Sequence, residues 1–145
     1  IRYILEDVPV RKMTKGDPKT VPGHISVERL IEDYIMQTDG QSFPVIEEGN
    51  LIGIVTLDDV RQVPGDARAT QTVADIMTPR KDLITLSPED CADDALNAIS
   101  RNAIRQVVIM DGNDFFGLVR RRDIVRYLQI QSDEINPLSP RSSKA

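Results

Sequence analysis

One cysteine, one histidine and no tryptophan occur among the 145 residues of this chain, and each scarcity removes a class of chemistry. Cys91 alone excludes an internal disulfide and a thiolate metal cluster, and a single thiol fits a reducing compartment. His24 would have to anchor any imidazole zinc site or Ser-His-Asp triad by itself. Long apolar runs are missing too. Stretches such as LIGIV from Leu51 reach about five residues against the ~20 that cross a bilayer, so no part of the chain is expected to span a membrane. There is no basic excess: 18 Lys and Arg stand against 23 Asp and Glu, a net charge of −5 and a pI near 4.9. That sign is wrong for a protein that lives on phosphate-backbone contacts, so nucleic acid is not an expected partner. No signal peptide is expected, since no charged stretch precedes an apolar one in a chain that opens at Ile1 without Met. We expect a piece of a longer protein, located in the cytoplasm or on the cytosolic face of a membrane protein.

What is present is an ordinary globular composition, 40% hydrophobic and 28% charged, in a length that suits one domain or two small ones sharing a core. The chain also repeats itself. Met13-Thr14 recurs as Met77-Thr78, and Gly53, Val55 and Asp59 recur as Gly117, Val119 and Asp123, each pair 64 residues apart. Between them Val27, Leu30, Ile31 and Tyr34 match Ala92, Ala95, Leu96 and Ile99 at a spacing of 65, a one-residue loop difference. Two repeats follow, over residues 8–63 and 72–131, with a Pro64-Gly65 linker at 64–71 and a Ser- and Pro-rich flexible tail at 132–145.

Each repeat reads as strand, helix, strand, strand, helix. A short apolar patch comes first, at Thr20–Pro22 and at Ile84–Pro88. An amphipathic helix follows, with Val27, Leu30, Ile31, Tyr34 and Ile35 on one face of a 3.6-residue period. The second such helix, from Ala92, is preceded by Ser87, Pro88 and Asp90 in the manner of a capping box. Two β-branched runs then flank a turn, EEGN in one copy and DGND in the other, and a closing helix starts near Leu57 and near Arg121. Units of ~60 residues bury little apolar surface alone, so the expected architecture is α/β (α+β), with two pseudo-twofold-related β-α-β-β-α repeats packed sheet to sheet. Such packing leaves two equivalent clefts.

Met13-Thr14 and Met77-Thr78, SFPVIEEGNLIGIVTLDDV from Ser42 and RQVVIMDGNDFFGLVRRRDI from Arg105 together resemble the tandem CBS domain pair, or Bateman module. The resemblance covers almost the whole chain. Val108 stands where the pattern usually has the proline seen at Pro44. The details look most like the CBS pair attached to membrane-embedded zinc metalloproteases of the site-2 protease family, although no zinc-ligand sequence is present and no catalytic residue is expected here. The resemblance implies a regulatory, non-catalytic module that binds adenine nucleotides or adenosyl ligands (ATP, ADP, AMP or S-adenosylmethionine) and controls an attached protein. It implies no required cofactor and no metal, a homodimer of modules, and contact with a membrane only through the missing host part. A structural dimerisation module that takes no ligand is the alternative.

The same resemblance makes Thr56 and Asp59 the holders of the ribose hydroxyls, with Ile84, Thr85, Gln106 and Val107 against the adenine. A second cleft would draw on Thr20, Val21, Ser42, Phe43, Arg120 and Asp123. Thr56 and Asp59 read two ways, because Thr-x-x-Asp at a helix start is also a capping box worth about 1 kcal/mol without any ligand. In the second copy Arg120 replaces the threonine and offers donors only. It could reach a phosphate, close its cleft through a salt bridge to Asp123, or belong with Arg121, Arg122 and Arg126 to a solvated helix start. Residues 1–64 carry a net −4 and residues 65–131 a net −1, so a polyphosphate should prefer the second half. His24 reads as an exposed loop residue and Cys91 as a half-buried filler with no base beside it.

Overall fold

The computed structural model describes residues 5–135. They fall into two compact units that do not follow the repeat boundaries. The first unit is residues 17–83 with 113–115; the second is residues 5–16, 84–112 and 116–135.

In the first unit Ser26 caps helix α1 (Val27–Leu30), its hydroxyl accepting from the Arg29 amide, and the helix continues as a π turn over Ile31–Ile35. The apolar stripe faces the core as its period requires, with Val27 and Leu30 buried and Ile31, Tyr34 and Ile35 packed beside them. Strands β1 (Ser42–Glu47) and β2 (Asn50–Thr56) form an antiparallel hairpin. Its two turn residues, Glu48 and Gly49, both take positive φ (50° and 81°), the form whose twist matches a hairpin. Helix α2 (Leu57–Arg61) follows directly. The linker is more ordered than its composition suggests: a 3₁₀ turn at Gly65–Ala67 leads to α3 (Val73–Ile76), boxed by Thr72 and Asp75. Strand β3 (Thr78–Pro79) then pairs with β2. The opening strand expected at Thr20–Pro22 shrinks to one parallel bridge, Val21 with Val45, because Pro18 and Pro22 have no amide proton to extend the ladder.

The second unit repeats this plan. Strand β4 (Thr85–Leu86) runs parallel to β5 (Gln106–Asp111), which pairs with β6 (Asp114–Arg120), and helices α4 (Ala92–Asn102) and α5 (Arg121–Ile135) complete it. The expected capping box before α4 does not form. Cys91 is the N-cap and makes no side-chain cap, while Ser87 and Asp90 close a separate turn in which Asp90 Oδ2 accepts from the Ser87 amide at 2.7 Å. The Ala92 amide is taken instead by the Val8 carbonyl, so the N-terminal segment supplies part of the missing cap. Helix α5 runs through Ile135, four residues into the stretch read as tail, and residues 136–145 lie outside the described residues.

The two Met-Thr segments explain why units and repeats differ. Met77 and β3 lie against the hairpin of the first repeat, whereas Met13 is buried with the second repeat and Lys15 bridges Leu118 there. At each crossing a glycine makes room. A Cβ on Gly53 would strike the Thr78 carbonyl and Met77 Sδ, and one on Gly117 would strike the Lys15 carbonyl and Thr14. The ladder pairs Lys15 with Leu118 and Thr78 with Ile54, one residue out of step with the 64-residue spacing of the sequence. Each unit has its own core, Phe43, Leu30, Val45 and Val55 in the first and Val10, Ile99, Ile109 and Ile124 in the second. Among the described residues no helix is long and apolar enough to cross a membrane.

Candidate functional site

Where β2 ends, the chain turns into α2 through Thr56, which keeps extended backbone angles (φ −122°, ψ 166°). The Asp59 amide donates to Thr56 Oγ1 at 3.2 Å and the Thr56 amide donates to Asp59 Oδ2 at 2.9 Å. The capping box anticipated for this pair is therefore complete. It engages one carboxylate oxygen and leaves Asp59 Oδ1 outside the box, on a half-buried side chain.

Sheet register decides which other candidates lie near. Ser42 is the ladder partner of Thr56, and the Leu57 amide donates to the Gln41 carbonyl. Val21 lies parallel to β1 beside Val45, which puts the preceding Thr20 toward the Ser42–Thr56 end of the sheet. Thr20, Ser42, Thr56 and Asp59 thus share one sheet end in the first unit. In the second unit Ile84 and Thr85 run beside Val108, Gln106 starts β5, and Arg120 and Asp123 sit where β6 becomes α5. The expected grouping of Thr56 and Asp59 with Ile84, Thr85, Gln106 and Val107 draws on residues of both units. Within a unit the grouping follows the repeat, because each opening segment adds to its own hairpin.

Burial separates usable side chains from structural ones. Val21, Phe43 and Val107 are at most 2% exposed and belong to the cores, so only their backbone could meet a ligand. Ser42 is buried too, whereas Thr20 and Thr85 are exposed and Ile84 and Gln106 are half-buried.

The second copy of the corner differs electrostatically. Asp123 is 5% exposed, and its Oδ2 accepts the Arg120 amide at 2.9 Å, so the arginine enters half a capping box through its backbone despite its side chain. The salt bridge considered between Arg120 and Asp123 is replaced by another: the ion partner of Asp123 is Lys15, 4.0 Å away. Burial and the neighbouring Arg122 lower the Arg120 pKa, opposed by Asp123. Lys15 was missed because only the crossing of the N-terminal segment brings it to Asp123, a fact that no local motif carries. His24 is exposed and pairs loosely with Glu47 (3.3 Å), and Cys91 is half-buried with its pKa raised by desolvation and by Asp94, Asp93, Asp7 and Asp90. No cluster of three metal-ligating side chains occurs among the described residues.

Known proteins place these features. A protein of Mycobacterium tuberculosis that bears the name zinc metalloprotease Rip3 is 27% identical over 131 residues, 89% of this chain and 33% of that protein. The chain therefore spans about a third of that relative's length. Among solved structures, the CBS domain of a bacterial CNNM/CorC family Mg²⁺ transporter in complex with ATP superposes with a TM-score of 0.77 at 20% identity, over 88% of this chain and 91% of that one. The CBS domain pair of protein MJ0100, in complex with 5′-methylthioadenosine and S-adenosyl-L-methionine, gives a TM-score of 0.70 at 25% identity, over 86% of this chain and 98% of that one. The CBS domain family itself matches residues 5–66 and 73–130. With two matched segments, two three-stranded sheets and the same glycine crossing in each, the chain belongs to the CBS domain family as a tandem pair.

Proposed function

We propose that this chain is a regulatory module that binds an adenine nucleotide or adenosyl ligand at the Thr56–Asp59 corner and signals occupancy to an attached protein. The observation that carries the proposal is the half-used carboxylate. Asp59 secures the helix start with Oδ2, and Oδ1 can accept from one hydroxyl of a vicinal diol beside the Thr56 hydroxyl. The adenosyl ligands of the MJ0100 pair and the ATP of the transporter domain support the ligand class. The Rip3 relative supports a zinc metalloprotease as the attached protein. CBS pairs act as regulatory rather than catalytic parts, and no step of bond chemistry is assigned to this one.

The complete capping box favours a second reading, in which Thr56 and Asp59 serve the fold alone and the module only dimerises. Thermal unfolding with and without ATP, ADP, AMP and S-adenosylmethionine separates the two. A ligand at 100 times its Kd adds about 2.7 kcal/mol to stability. We expect such a shift with one of the four and its loss in Asp59→Ala. Failure of all four to move the transition would leave the scaffold reading.

A further inference from the structure

We infer that the Thr56–Asp59 corner selects an adenosyl ligand without phosphate, neutral or cationic at its 5′ end, over AMP, ADP and ATP. The inference rests on the reading of that corner as the adenosyl site and adds the class of ligand it accepts. Phosphate is held by N–H donors and by cations. At this corner the backbone donors are spent. The Thr56 amide donates to Asp59 Oδ2 at 2.9 Å, the Asp59 amide to Thr56 Oγ1 at 3.2 Å and the Leu57 amide to the Gln41 carbonyl at 3.1 Å. The fold itself has consumed the start of α2.

The cations of the unit are committed elsewhere. Residues 17–83 with 113–115 hold six Lys and Arg against thirteen Asp and Glu. Arg61 pairs with Asp58, Arg29 with Asp33 at 3.2 Å, and Lys19 Nζ lies 5.5 Å from the centre of the Tyr34 ring. Arg80 and Lys81 follow Pro79, the ladder partner of Gly53, and so continue away from Thr56 toward the hairpin turn. His24 pairs with Glu47 at that same turn end. Arg68 gives its carbonyl to the Glu28 amide at the start of α1.

What the corner offers is acceptors, chiefly the consecutive carboxylates of Asp58 and Asp59. An acceptor-rich, donor-poor corner suits a nucleoside, whose ribose hydroxyls and exocyclic amine donate, and it repels a 5′ phosphate. An ammonium or sulfonium at the 5′ end meets attraction instead. The fold does not impose this choice. Gln62 stands one helical turn after Asp59 and is exposed, and its counterpart 64 residues further on is Arg126. An arginine is accommodated at that place in one repeat and absent from the other.

Calorimetric titration of the 145-residue chain with 5′-methylthioadenosine, S-adenosylmethionine, AMP and ATP, the last two with EDTA, tests the inference. The first two should bind, with AMP about tenfold weaker and ATP weaker again. Raising salt from about 0.01 M to about 1 M cuts the screening length from ~30 Å to ~3 Å, so the AMP and ATP deficit should narrow while methylthioadenosine affinity holds. Gln62→Arg should strengthen AMP by about tenfold and leave methylthioadenosine unchanged. Asp59→Ala, or Asp59→Asn if circular dichroism shows the alanine variant unfolded, should weaken methylthioadenosine and so tie its binding to this corner. AMP or ATP binding as tightly as methylthioadenosine with the same dependence on Asp59, or weakening as salt rises, would overturn the selectivity and leave the adenosyl site standing. Binding indifferent to the Asp59 substitution, or no binding of any of the four, would overturn the site itself.

Discussion

Asp59 and Asp123 occupy the same position in two copies of one motif, and their surroundings set them to different work. Asp59 is half-buried with one oxygen outside its capping box, whereas Asp123 is buried with Oδ2 on the Arg120 amide and Lys15 4.0 Å from Oδ1. Replacing Thr56 by Ala removes the hydroxyl that accepts the Asp59 amide and should cost about 1 kcal/mol, read by urea unfolding without ligand. Cys91 gives a reactivity prediction. Desolvation and four nearby aspartates raise its pKa above the ordinary thiol value, so the thiolate fraction at pH 8 falls below that of a free thiol. Alkylation by iodoacetamide at pH 8 should be slower than for glutathione or a peptide thiol; an equal or faster rate would contradict the acidic setting. The Thr56–Asp59 box was legible in sequence because its partners are three residues apart. The Lys15–Asp123 pair was not, since 108 residues separate its partners and only the fold joins them.

Elements were legible wherever periodicity or turn chemistry is local. The hairpins, their glycine-bearing turns and the stripe of α1 are where the pattern puts them, but the π turn at Ile31–Ile35, the capped α3 and the loss of the first opening strand are not in the expectation. Helix α3 had a usable signal, Thr72-x-x-Asp75, identical in form to Thr56-x-x-Asp59 and hidden by the neighbouring Pro-Gly linker. The opening strand failed because a single apolar residue between two prolines cannot sustain a ladder. At this scale the crossing glycines make the sharpest test. Gly53→Ala and Gly117→Ala force a methyl into another segment's carbonyl, with no flexible side chain able to absorb the whole overlap, and each should cost about 1–3 kcal/mol. Gly16→Ala meets nothing within 4 Å and serves as the neutral control. Equal stabilities for all three in denaturant unfolding would mean that the crossings are looser than their geometry indicates.

For the whole molecule, the exchange of N-terminal segments changes what counts as a folding unit. A repeat cut at 8–63 loses Val73, which is fully buried, together with α3, Met77 and β3, while it keeps Val10 and Met13, whose buried positions lie in the other core. Residues 17–83 instead retain the buried cluster from Val21 to Val73 and the edge that β3 supplies. A domain of ~60 residues is marginal even with a full core, and losing one buried Val-sized side chain costs about 2 kcal/mol or more. The fragment 17–83 should therefore unfold cooperatively in urea, and the fragment 8–63 should give a broad, shallow transition. The second repeat behaves in the complementary way. Cut at 72–131 it lacks Leu5, Val10 and Met13, the Val8 carbonyl that receives the Ala92 amide, and the Asp90 and Pro88 carbonyls lose their Val10 and Arg11 donors. Adding residues 5–16 back as a peptide should restore a cooperative transition to that fragment, detectable as a gain in helical circular dichroism. If the peptide has no effect while 8–63 folds as well as 17–83, the repeats are self-sufficient. Either crossing would then be decoration on the fold, not the means by which two short sequences complete each other.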